Sequence, residues 1–442
     1  MHDTSRTIVL GGGIAGLTAA ALLARAGGDV IVRETAPVLG GRGRSTDHDG
    51  TAVNMGPHAM YLAGPGITVL RDLDIDLSGG LPPAAHVRLL SNGGLHRPLR
   101  GAPGGVIGGG ARLAGSLTRL ARAALRDAPD AAMTGSAWLD RVLGDHPARP
   151  LVTATVRVAT YGNLLDVQSA QVAVAQVLAA RRVRYVRGGW RGIVKQLHDR
   201  VLAAGGQVRT AARPATVLVD GDRVRGVVDD RGDVIPASAV VVATGGPDAA
   251  LRTVAGTPAA DTLARATQGV RPSKAGVLDV VLSRRPDGLR PFVIGIDEPL
   301  FLTTPTDSVA HGGPAGRTVL QMVRYLDVDE PTGAAHRPRM EALLDQAAPG
   351  WRDLVVDARF LPAMTVSPDA GLAATGGLSG RVPVDASGVV GLFLAGDWVG
   401  EHGYLAHAAL RSAAAAARMA RTSASRVPAR AGRARGRTGP LG

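Results

Sequence analysis

The sequence lacks cysteine altogether, and aromatic residues make up only 3% of its 442 residues. Without cysteine the protein cannot form a disulfide, a thiolate metal site or a CxxC redox pair. Lysine is also scarce, because it occurs only as Lys195 and Lys274 in a chain whose formal net charge is +13. The shortage of aromatic rings argues against a binding site enclosed mainly by aromatic side chains.

Long apolar runs are missing as well. No stretch of apolar residues approaches the length that crosses a bilayer. A buried strand is predicted from residue 7, too near the amino terminus for a secretory signal peptide to precede it. We therefore expect a cytoplasmic protein, with peripheral membrane contact as a further possibility.

The last 22 residues contain six arginines and no acidic residue: Arg421, Arg426, Arg430, Arg433, Arg435 and Arg437. Glycine, proline and serine are frequent there, so residues 421–442 are predicted to form a basic disordered tail. Such a tail can contact anionic lipid or nucleic acid, and a tail that is simply solvated is the alternative. The rest of the chain is only mildly basic, so no specific nucleic-acid partner is expected.

A glycine-rich stretch near the amino terminus, TIVLGGGIAGLTAAALLARAGGDVIVRET, occupies residues 7–35. Residues 7–10 form a short apolar, β-branched run that is typical of a buried strand. Strong helix formers fill residues 17–26, and residues 29–32 form a second apolar run. This order of strand, glycine turn, helix and strand predicts a Rossmann-type βαβ unit.

The glycines of this unit occupy the positions of a dinucleotide fingerprint, namely Gly11, Gly13 and Gly16. The first allows a tight turn, the second lets the backbone approach a pyrophosphate, and the third lets helix and strand pack closely. Ile14 and Ala15 stand where free N–H groups of the helix start would meet phosphate. Glu34 follows the second strand, where a carboxylate can accept both ribose hydroxyls. A glycine turn without a ligand is the alternative, but the combined features favour a dinucleotide.

The residues that follow, APVLGGRGRS, contain Gly40, Gly41, Arg42 and Arg44. This stretch resembles the second signature of the two-domain FAD oxidoreductases related to flavin amine oxidases, protoporphyrinogen oxidase and phytoene desaturases. The resemblance implies that Gly41 and Arg42 lie along the pyrophosphate and the flavin of FAD. Two phosphates require a fixed cation and close backbone approach, although arginines that are only solvated are the alternative.

A third motif, GLFLAGDWVGEHGYLAHAALRSAAAAARMA, spans residues 391–420. It resembles the carboxy-terminal flavin motif of the same superfamily. The resemblance implies that Asp397, after Gly396, binds the ribityl chain, and that a backbone N–H near Leu405 lies by the flavin N1/O2 edge. There a helix amino terminus would stabilise negative charge. The alternative for Asp397 is a residue that only caps a turn.

The segment between these motifs also resembles the superfamily. Residues 187–246 contain a helix followed by short strands between Gly and Asp turns, and Val217 matches a position whose backbone meets the adenine. We therefore expect an α/β (α+β) protein with a discontinuous FAD-binding domain, formed by residues 1–66, 187–261 and 386–420. Residues 67–186 and 262–385 are predicted to form a substrate-binding domain of mixed sheet capped by helices.

The predicted substrate domain shows two amphipathic helices, at 115–128 and 169–182, and strands within 274–282 and 291–304. The stretches AWLDRVLGD and VATYGNLLDVQSAQ are similar to phytoene-dehydrogenase-like sequences. This part of the chain therefore places the protein nearer to that branch than to the amine oxidases proper.

Candidate residues near the flavin come from NMGPHAMY and from the carboxy-terminal motif. The resemblance places Gly56 and Pro57 close to the isoalloxazine ring, so that His58 and Tyr61 would face the substrate, and His402 and His407 would flank the other edge. A histidine there could move a proton, and Tyr404 matches an aromatic ring that faces the amine in amine oxidases. The alternatives are hydrogen-bonded structural histidines and a packing tyrosine. Lys274 is a weaker match to a lysine that holds a water in amine oxidases.

These residues together predict an FAD-dependent dehydrogenase or desaturase that takes hydride from a lipophilic organic substrate onto flavin N5. We expect FAD to be bound non-covalently, attachment through cysteine being impossible in this sequence, and no metal site is expected. A second nucleotide fingerprint is not found, so oxygen or a quinone is the expected electron acceptor. The alternatives are an amine oxidase that acts on C–N bonds, a redox-neutral flavin isomerase, and a binding module like the Rab GDP-dissociation inhibitors.

Overall fold

The computed structural model describes residues 6–83, 86–97, 122–123, 129–309, 314–330 and 334–425. The strands are β1 (Thr7–Leu10), β2 (Val30–Arg33), β3 (Ser45–His48), β4 (Thr51–Asn54), β5 (Met60–Tyr61), β6 (Gly79–Gly80), β7 (Val87–Ser91), β8 (Gly94–His96), β9 (Val183–Val186), β10 (Gln207–Arg209), β11 (Ala215–Asp220), β12 (Arg223–Asp229), β13 (Val234–Pro236), β14 (Ala239–Val242), β15 (Ser273–Leu282), β16 (Phe292–Gly295), β17 (Leu300–Thr303), β18 (Thr318–Tyr325), β19 (Val355–Ser367) and β20 (Leu392–Leu394). The α-helices are α1 (Ile14–Arg25), α2 (Ile67–Asp72), α3 (Gly135–Leu143), α4 (Arg149–Thr160), α5 (Ala170–Ala179), α6 (Gly189–Ala203), α7 (Pro247–Thr253), α8 (Pro258–Ala266), α9 (Arg337–Ala347) and α10 (Ala406–Ser425).

A parallel sheet in the order β10-β2-β1-β14-β20 forms the first layer of the protein. Residues of β1 pair with both β2 and β14, so Thr7 lies opposite Val30 on one side and Ala239 on the other. All four residues of β1 are buried, as expected for a strand that is covered on both faces. The predicted βαβ unit is therefore at the centre of this sheet.

Helices α1, α6 and α10 cover one face of the parallel sheet. The buried side of α10 contains Leu410 and a series of small side chains at helical spacing, namely Ala409, Ala413, Ala416, Ala417 and Ala420. Alanine at these positions lets α10 approach α1, which is itself rich in buried alanine. The other face packs against the antiparallel ribbon β11-β12-β13 and helices α7 and α8.

The second layer is a seven-stranded sheet in the order β19-β15-β18-β17-β16-β7-β8. Its neighbours pair in antiparallel fashion except β16 and β7, which run parallel. Helix α9 covers part of this sheet through Met340, Leu343, Leu344 and Ala347, an i, i+3, i+4, i+7 pattern. Helices α3, α4 and α5 share a separate apolar core. The structure thus confirms the predicted fold class.

Several predicted elements have different limits in the structure. The apolar stretch 291–304 is divided into β16 and β17 by a turn. Helix α10 continues to Ser425, so the first residues of the stretch predicted as a disordered tail are helical, and residues 426–442 lie outside the described residues. The predicted helix 115–128 also lies outside them, apart from 122–123. Across the described ranges, no helix is both long and apolar enough to cross a membrane.

The sheet takes its strands from three distant parts of the chain, as a discontinuous domain requires. The predicted boundary after residue 66 differs from the packing, because Ile67, Val69 and Leu70 of α2 belong to the same core as α1 and α10. Helix α2 therefore packs with the parallel sheet rather than with the substrate side. The remaining domain boundaries stay a prediction.

Candidate functional site

A cavity of about 840 Å³ opens at the carboxyl ends of β1, β2 and β14 and extends toward the seven-stranded sheet. Its walls at the sheet end include Gly11, Glu34 and Thr244. Ligands of open α/β sheets bind outside the carboxyl ends of parallel strands, so this position is the expected one. The opposite end includes Tyr61, Tyr161 and Met364.

The glycine loop lies against the wall of the cavity. Gly11 has a φ of +111°, and a Cβ there would lie 2.3 Å from the carbonyl oxygen of Ala243. A Cβ on Gly16 would lie 1.9 Å from the carbonyl oxygen of Gly11, which explains why the helix can pack directly on the loop. At Gly13, by contrast, a Cβ would meet only the Gly40 carbonyl oxygen, at 3.9 Å. The backbone at Gly13 is thus open to a bound molecule.

Glu34 fixes the shape of this loop. Its Oε2 accepts a hydrogen bond from the Gly12 N–H at 2.7 Å, and its Oε1 accepts one from the Ala36 N–H at 2.8 Å. Each carboxylate oxygen can accept a further hydrogen bond. Glu34 lines the cavity, and so its remaining acceptor capacity is available to a ligand.

Arg42 and Asp397 join two distant parts of the chain in the cavity wall. The guanidinium donates from Nη1 to Asp397 Oδ2 at 2.7 Å and from Nη2 to Oδ1 at 2.5 Å. Nη1 also donates to the Val366 carbonyl oxygen at 2.7 Å. A bidentate pair of this kind fixes both side chains and ties the first glycine segment to the carboxy-terminal motif.

The start of helix α10 contributes backbone N–H groups to the cavity. Leu405 precedes the helix with a φ of +51°, which is a rare conformation for a leucine. Leu405, Ala406 and His407 all line the cavity. Because the first N–H groups of a helix have no intrahelical acceptor, this end of α10 favours a negatively charged partner.

His58 and Tyr404, two predicted catalytic residues, also line the cavity. His58 Nδ1 donates to the Gly56 carbonyl oxygen at 3.0 Å, and its ring packs edge-on against Trp190. Burial lowers the pKa of His58, which keeps the ring neutral at pH 7. Tyr404 is completely buried, and burial raises the pKa of its hydroxyl.

Four of the predicted site residues do not line the cavity: Gly16, Gly56, Val217 and His402. The side chain of His402 is 61% exposed and lies beside Glu401 instead. Val217 packs into the core beneath the ribbon, whereas its neighbours Ala215 and Thr216 reach the cavity. Lys274 is not among the lining residues either. The cavity wall of the described residues thus contains neither His402 nor Lys274.

Gly56 lies on a buried polar network behind the cavity. Asp279, which is 1% exposed, accepts hydrogen bonds from the Gly56 N–H at 3.3 Å and from Gln321 Nε2 at 2.9 Å. Arg359 Nη2 donates to the same carboxylate at 2.5 Å and to the Asn54 carbonyl oxygen at 2.7 Å. This network holds the backbone that leads to Pro57 and His58.

The sequence did not point to several other residues of the cavity wall: Tyr161, Gln176, Trp190, Arg213, Arg252 and Met364. They come from separate helices, strands and loops and share no local motif. Two of them carried a weak signal. Gln176 is one of two glutamines in the otherwise apolar helix AQVAVAQVLA, and Trp190 follows a pair of glycines.

His407 is a buried histidine at the start of α10. Its Nδ1 accepts a hydrogen bond from the Gly66 N–H at 3.3 Å, and a Cβ on Gly64 would lie 2.1 Å from its Nε2. Burial lowers the pKa of His407 to about 4. The ring is therefore neutral in the folded protein at neutral pH.

The low pKa of His407 makes the stability of the protein depend on pH. An unfolded histidine titrates near pH 6.5, so between about pH 6.5 and 4 the unfolded state binds a proton that the folded state does not. Above this window His407 does not lower the free energy of unfolding. As the pH falls through the window, the free energy of unfolding decreases by up to about 3 kcal/mol. We expect His407→Gln to reduce this acid sensitivity, measured as the melting temperature between pH 7 and 4.

The exposed His402 provides the control for this experiment. His402→Gln should follow the wild-type pH profile, because its side chain is 61% exposed. If the pH profile of His407→Gln coincides with that of the wild type, His407 is not the cause of the acid sensitivity.

Two comparisons with known proteins bear on this site. The family whose sequence pattern matches the chain is described as flavin containing amine oxidoreductase, and the match covers residues 14–282. No curated protein sequence gives a significant match.

Solved structures share the fold over nearly the whole chain. An oxidoreductase from Methanosarcina mazei superposes with a TM-score of 0.70 and 17% identity, covering 93% of this chain and 99% of that one. Putrescine oxidase bound to putrescine gives a TM-score of 0.66 and 18% identity, covering 95% and 98% of the two chains. Reduced UDP-galactopyranose mutase gives a TM-score of 0.65 and 15% identity, covering 95% and 97%. At these identities the likeness establishes a shared fold.

Proposed function

The chain belongs to the flavin-containing amine oxidoreductase family, and from this premise we propose that it is an FAD-dependent dehydrogenase of a lipophilic organic substrate. One observation carries the proposal: a single cavity joins the dinucleotide loop at the parallel sheet to a wall of Tyr61, Tyr161 and Met364. A lipophilic molecule would be held by that wall, next to the site of the cofactor.

The residues of the cavity fit FAD. Gly13 leaves open backbone where a pyrophosphate would lie, and Glu34 keeps acceptor capacity for ribose hydroxyls. Arg42 and Asp397 form a fixed pair between the two glycine-containing segments. We assign FAD binding to these residues together with the N-terminal end of α10. Attachment through cysteine is excluded, because the sequence contains none.

The chemistry at the site divides between cofactor and protein. FAD, when bound, supplies the acceptor for a hydride. The protein residues exclude water from the substrate and fix its position, since Tyr61 and Tyr404 are buried and line the cavity. The N–H groups at Leu405 and Ala406 favour negative charge at their end of the cavity. The neutral His58 adds no charge to the wall.

An amine oxidase is the second candidate function. The family description and the shared fold with putrescine oxidase favour it, and Tyr404 lies in the cavity as the sequence resemblance requires. The aromatic residues of the described wall also include Tyr61, Tyr161 and Trp190. A redox-neutral isomerase shares the fold as well, since UDP-galactopyranose mutase superposes on this chain.

Anaerobic reduction of the purified protein tests these candidates. We expect the visible spectrum to show bound flavin, and we expect phytoene, as a lipophilic polyene, to bleach it while putrescine does not. Bleaching by putrescine alone would replace the dehydrogenase proposal by an amine oxidase. In that case Tyr404→Phe should slow flavin reduction, whereas Tyr325→Phe should not, because Tyr325 is equally buried but is not among the cavity-lining residues.

The electron acceptor follows from the same experiment. We propose that the acceptor is oxygen or a quinone. Each is added separately to the substrate-reduced protein, and the one that reoxidises the flavin faster is the better acceptor. Peripheral membrane contact, if the acceptor is a quinone, would be consistent with the arginines of the carboxy-terminal region.

A further inference from the structure

A buried glutamine in the cavity wall has no hydrogen-bond partner among the described residues. Gln176 lies on α5, is 1% exposed and lines the cavity. Neither its Oε1 nor its Nε2 forms a hydrogen bond with any other residue that the structure describes. A buried amide without partners costs free energy, because folding removes it from water without replacing its hydrogen bonds.

The surroundings of Gln176 make this residue unusual. Its helix, AQVAVAQVLA, also buries Val172, Ala173 and Val174, and an apolar residue would be buried at position 176 without the cost of an unpaired amide. Other polar side chains of the wall have partners for most of their atoms: Glu34 accepts backbone N–H groups, and the Tyr61 hydroxyl donates to the Ala159 carbonyl oxygen at 3.3 Å. Arg33 Nε, Trp190 Nε1 and Thr244 Oγ1 each lack a partner within the described part of the chain, whereas Gln176 lacks one at both its donor and its acceptor atom. Gln176 is therefore a buried polar side chain of the wall whose donor and acceptor both lack a partner among the described residues.

We propose that Gln176 binds a polar group on an otherwise lipophilic substrate. An amide offers both a donor and an acceptor, so its matching ligand group is uncharged and has both, as in a hydroxyl or a carboxamide. Met60, Tyr61 and Tyr161, which also line the cavity, carry no charge at neutral pH, and so nothing among these side chains matches an ionic group. The inference rests on the proposed function, in which this cavity receives the organic substrate. It predicts that a lipophilic molecule carrying such a group binds more tightly than the corresponding unsubstituted hydrocarbon.

Thermal unfolding of the holoprotein gives the first test. Gln176→Met keeps an unbranched side chain of similar length and removes the unpartnered amide, so we expect an unchanged or higher melting temperature. Gln171 on the same helix is the control, because its Oε1 accepts hydrogen bonds from the N–H groups of Leu378 and Ser379. Gln171→Met should lower the melting temperature. A clear fall in Gln176→Met would show that the amide has a structural partner and would overturn the proposal.

Ligand binding gives the second test, with n-octane, 1-octanol and octanamide as probes of equal chain length. Titrations are followed by the absorption difference of the bound flavin. We expect the wild type to bind octanol or octanamide at least 10-fold more tightly than octane, and Gln176→Met to lose most of that preference while its affinity for octane is kept. Equal preference in wild type and variant would contradict the proposal. If Gln176→Met does not fold, Gln176→Leu replaces it.

The two proposals can fail separately. If the protein is purified without flavin and cannot be reconstituted with it, the proposed function is contradicted before any titration is made. If Gln176→Met binds flavin and still prefers octanol to octane, only the proposed role of Gln176 is contradicted.

Discussion

Replacing Arg359 by methionine is expected to destabilise the protein by about 3–5 kcal/mol, because it leaves Asp279 buried without its cationic partner. Asp279 is 1% exposed, and burial raises the pKa of its carboxyl group although Arg359 opposes the shift. The variant also removes donors to the Thr46 hydroxyl and to the Asn54 carbonyl oxygen. Urea unfolding, compared through the midpoint and the slope, measures the loss.

A surface arginine provides the matched control. Arg352→Met removes ion pairs with Glu341 and Asp345, but the Arg352 side chain is 53% exposed and solvent screens these pairs. We expect little change in this variant. The double variant Asp279→Asn/Arg359→Met should recover part of the stability, because it no longer buries an unpaired charge. A double variant no more stable than Arg359→Met would locate the loss in the contacts to Thr46 and Asn54.

Replacing Glu34 by alanine is expected to weaken FAD binding by roughly 10- to 100-fold, the effect of one lost hydrogen bond to a charged group. The carboxylate now orders the loop through the N–H groups of Gly12 and Ala36, and it lines the cavity at the sheet end. Its removal leaves both donors without this acceptor and takes away the proposed ribose contact. The FAD content of the purified protein and fluorescence titration of the apoprotein measure the loss.

Glu401 is the control for this experiment, because its side chain is 64% exposed and it is not among the cavity-lining residues. Glu401→Ala should keep the wild-type affinity for FAD. Wild-type affinity in Glu34→Ala as well would show that the ribose end of the cofactor is held elsewhere.

The local parts of the fold could be predicted from the sequence. Residues 7–10 form β1 as expected, and Glu34 directly follows β2. These predictions succeed because the sequence signals for buried strands, glycine turns and strand ends lie in residues that are neighbours in the sequence. The same reasoning placed the glycine loop, Arg42 and Asp397 at one site through their resemblance to a known superfamily, and the structure brings all three to one cavity.

The remaining parts depend on contacts between distant residues. Asp279, Gln321 and Arg359 lie in different strands, and no local pattern shows that they meet behind Gly56. The sequence placed His402 beside the flavin edge, but in the structure its side chain is exposed to solvent. Gln176 was missed for a related reason, since the sequence of its helix does not show which of the two glutamines, Gln171 or Gln176, is buried.

The strand order of the parallel sheet has a consequence for how the chain folds. Strand β14 pairs with β1 on one side and with β20 on the other, and these partners lie near residues 7 and 394. Strand β20 and helix α10, which covers α1, are therefore synthesised more than 300 residues after β1. During translation the glycine loop emerges long before Asp397 and α10 can complete its surroundings. Contacts of such wide sequence separation slow folding, so assembly of the cofactor site has to wait until β20 and α10 have left the ribosome.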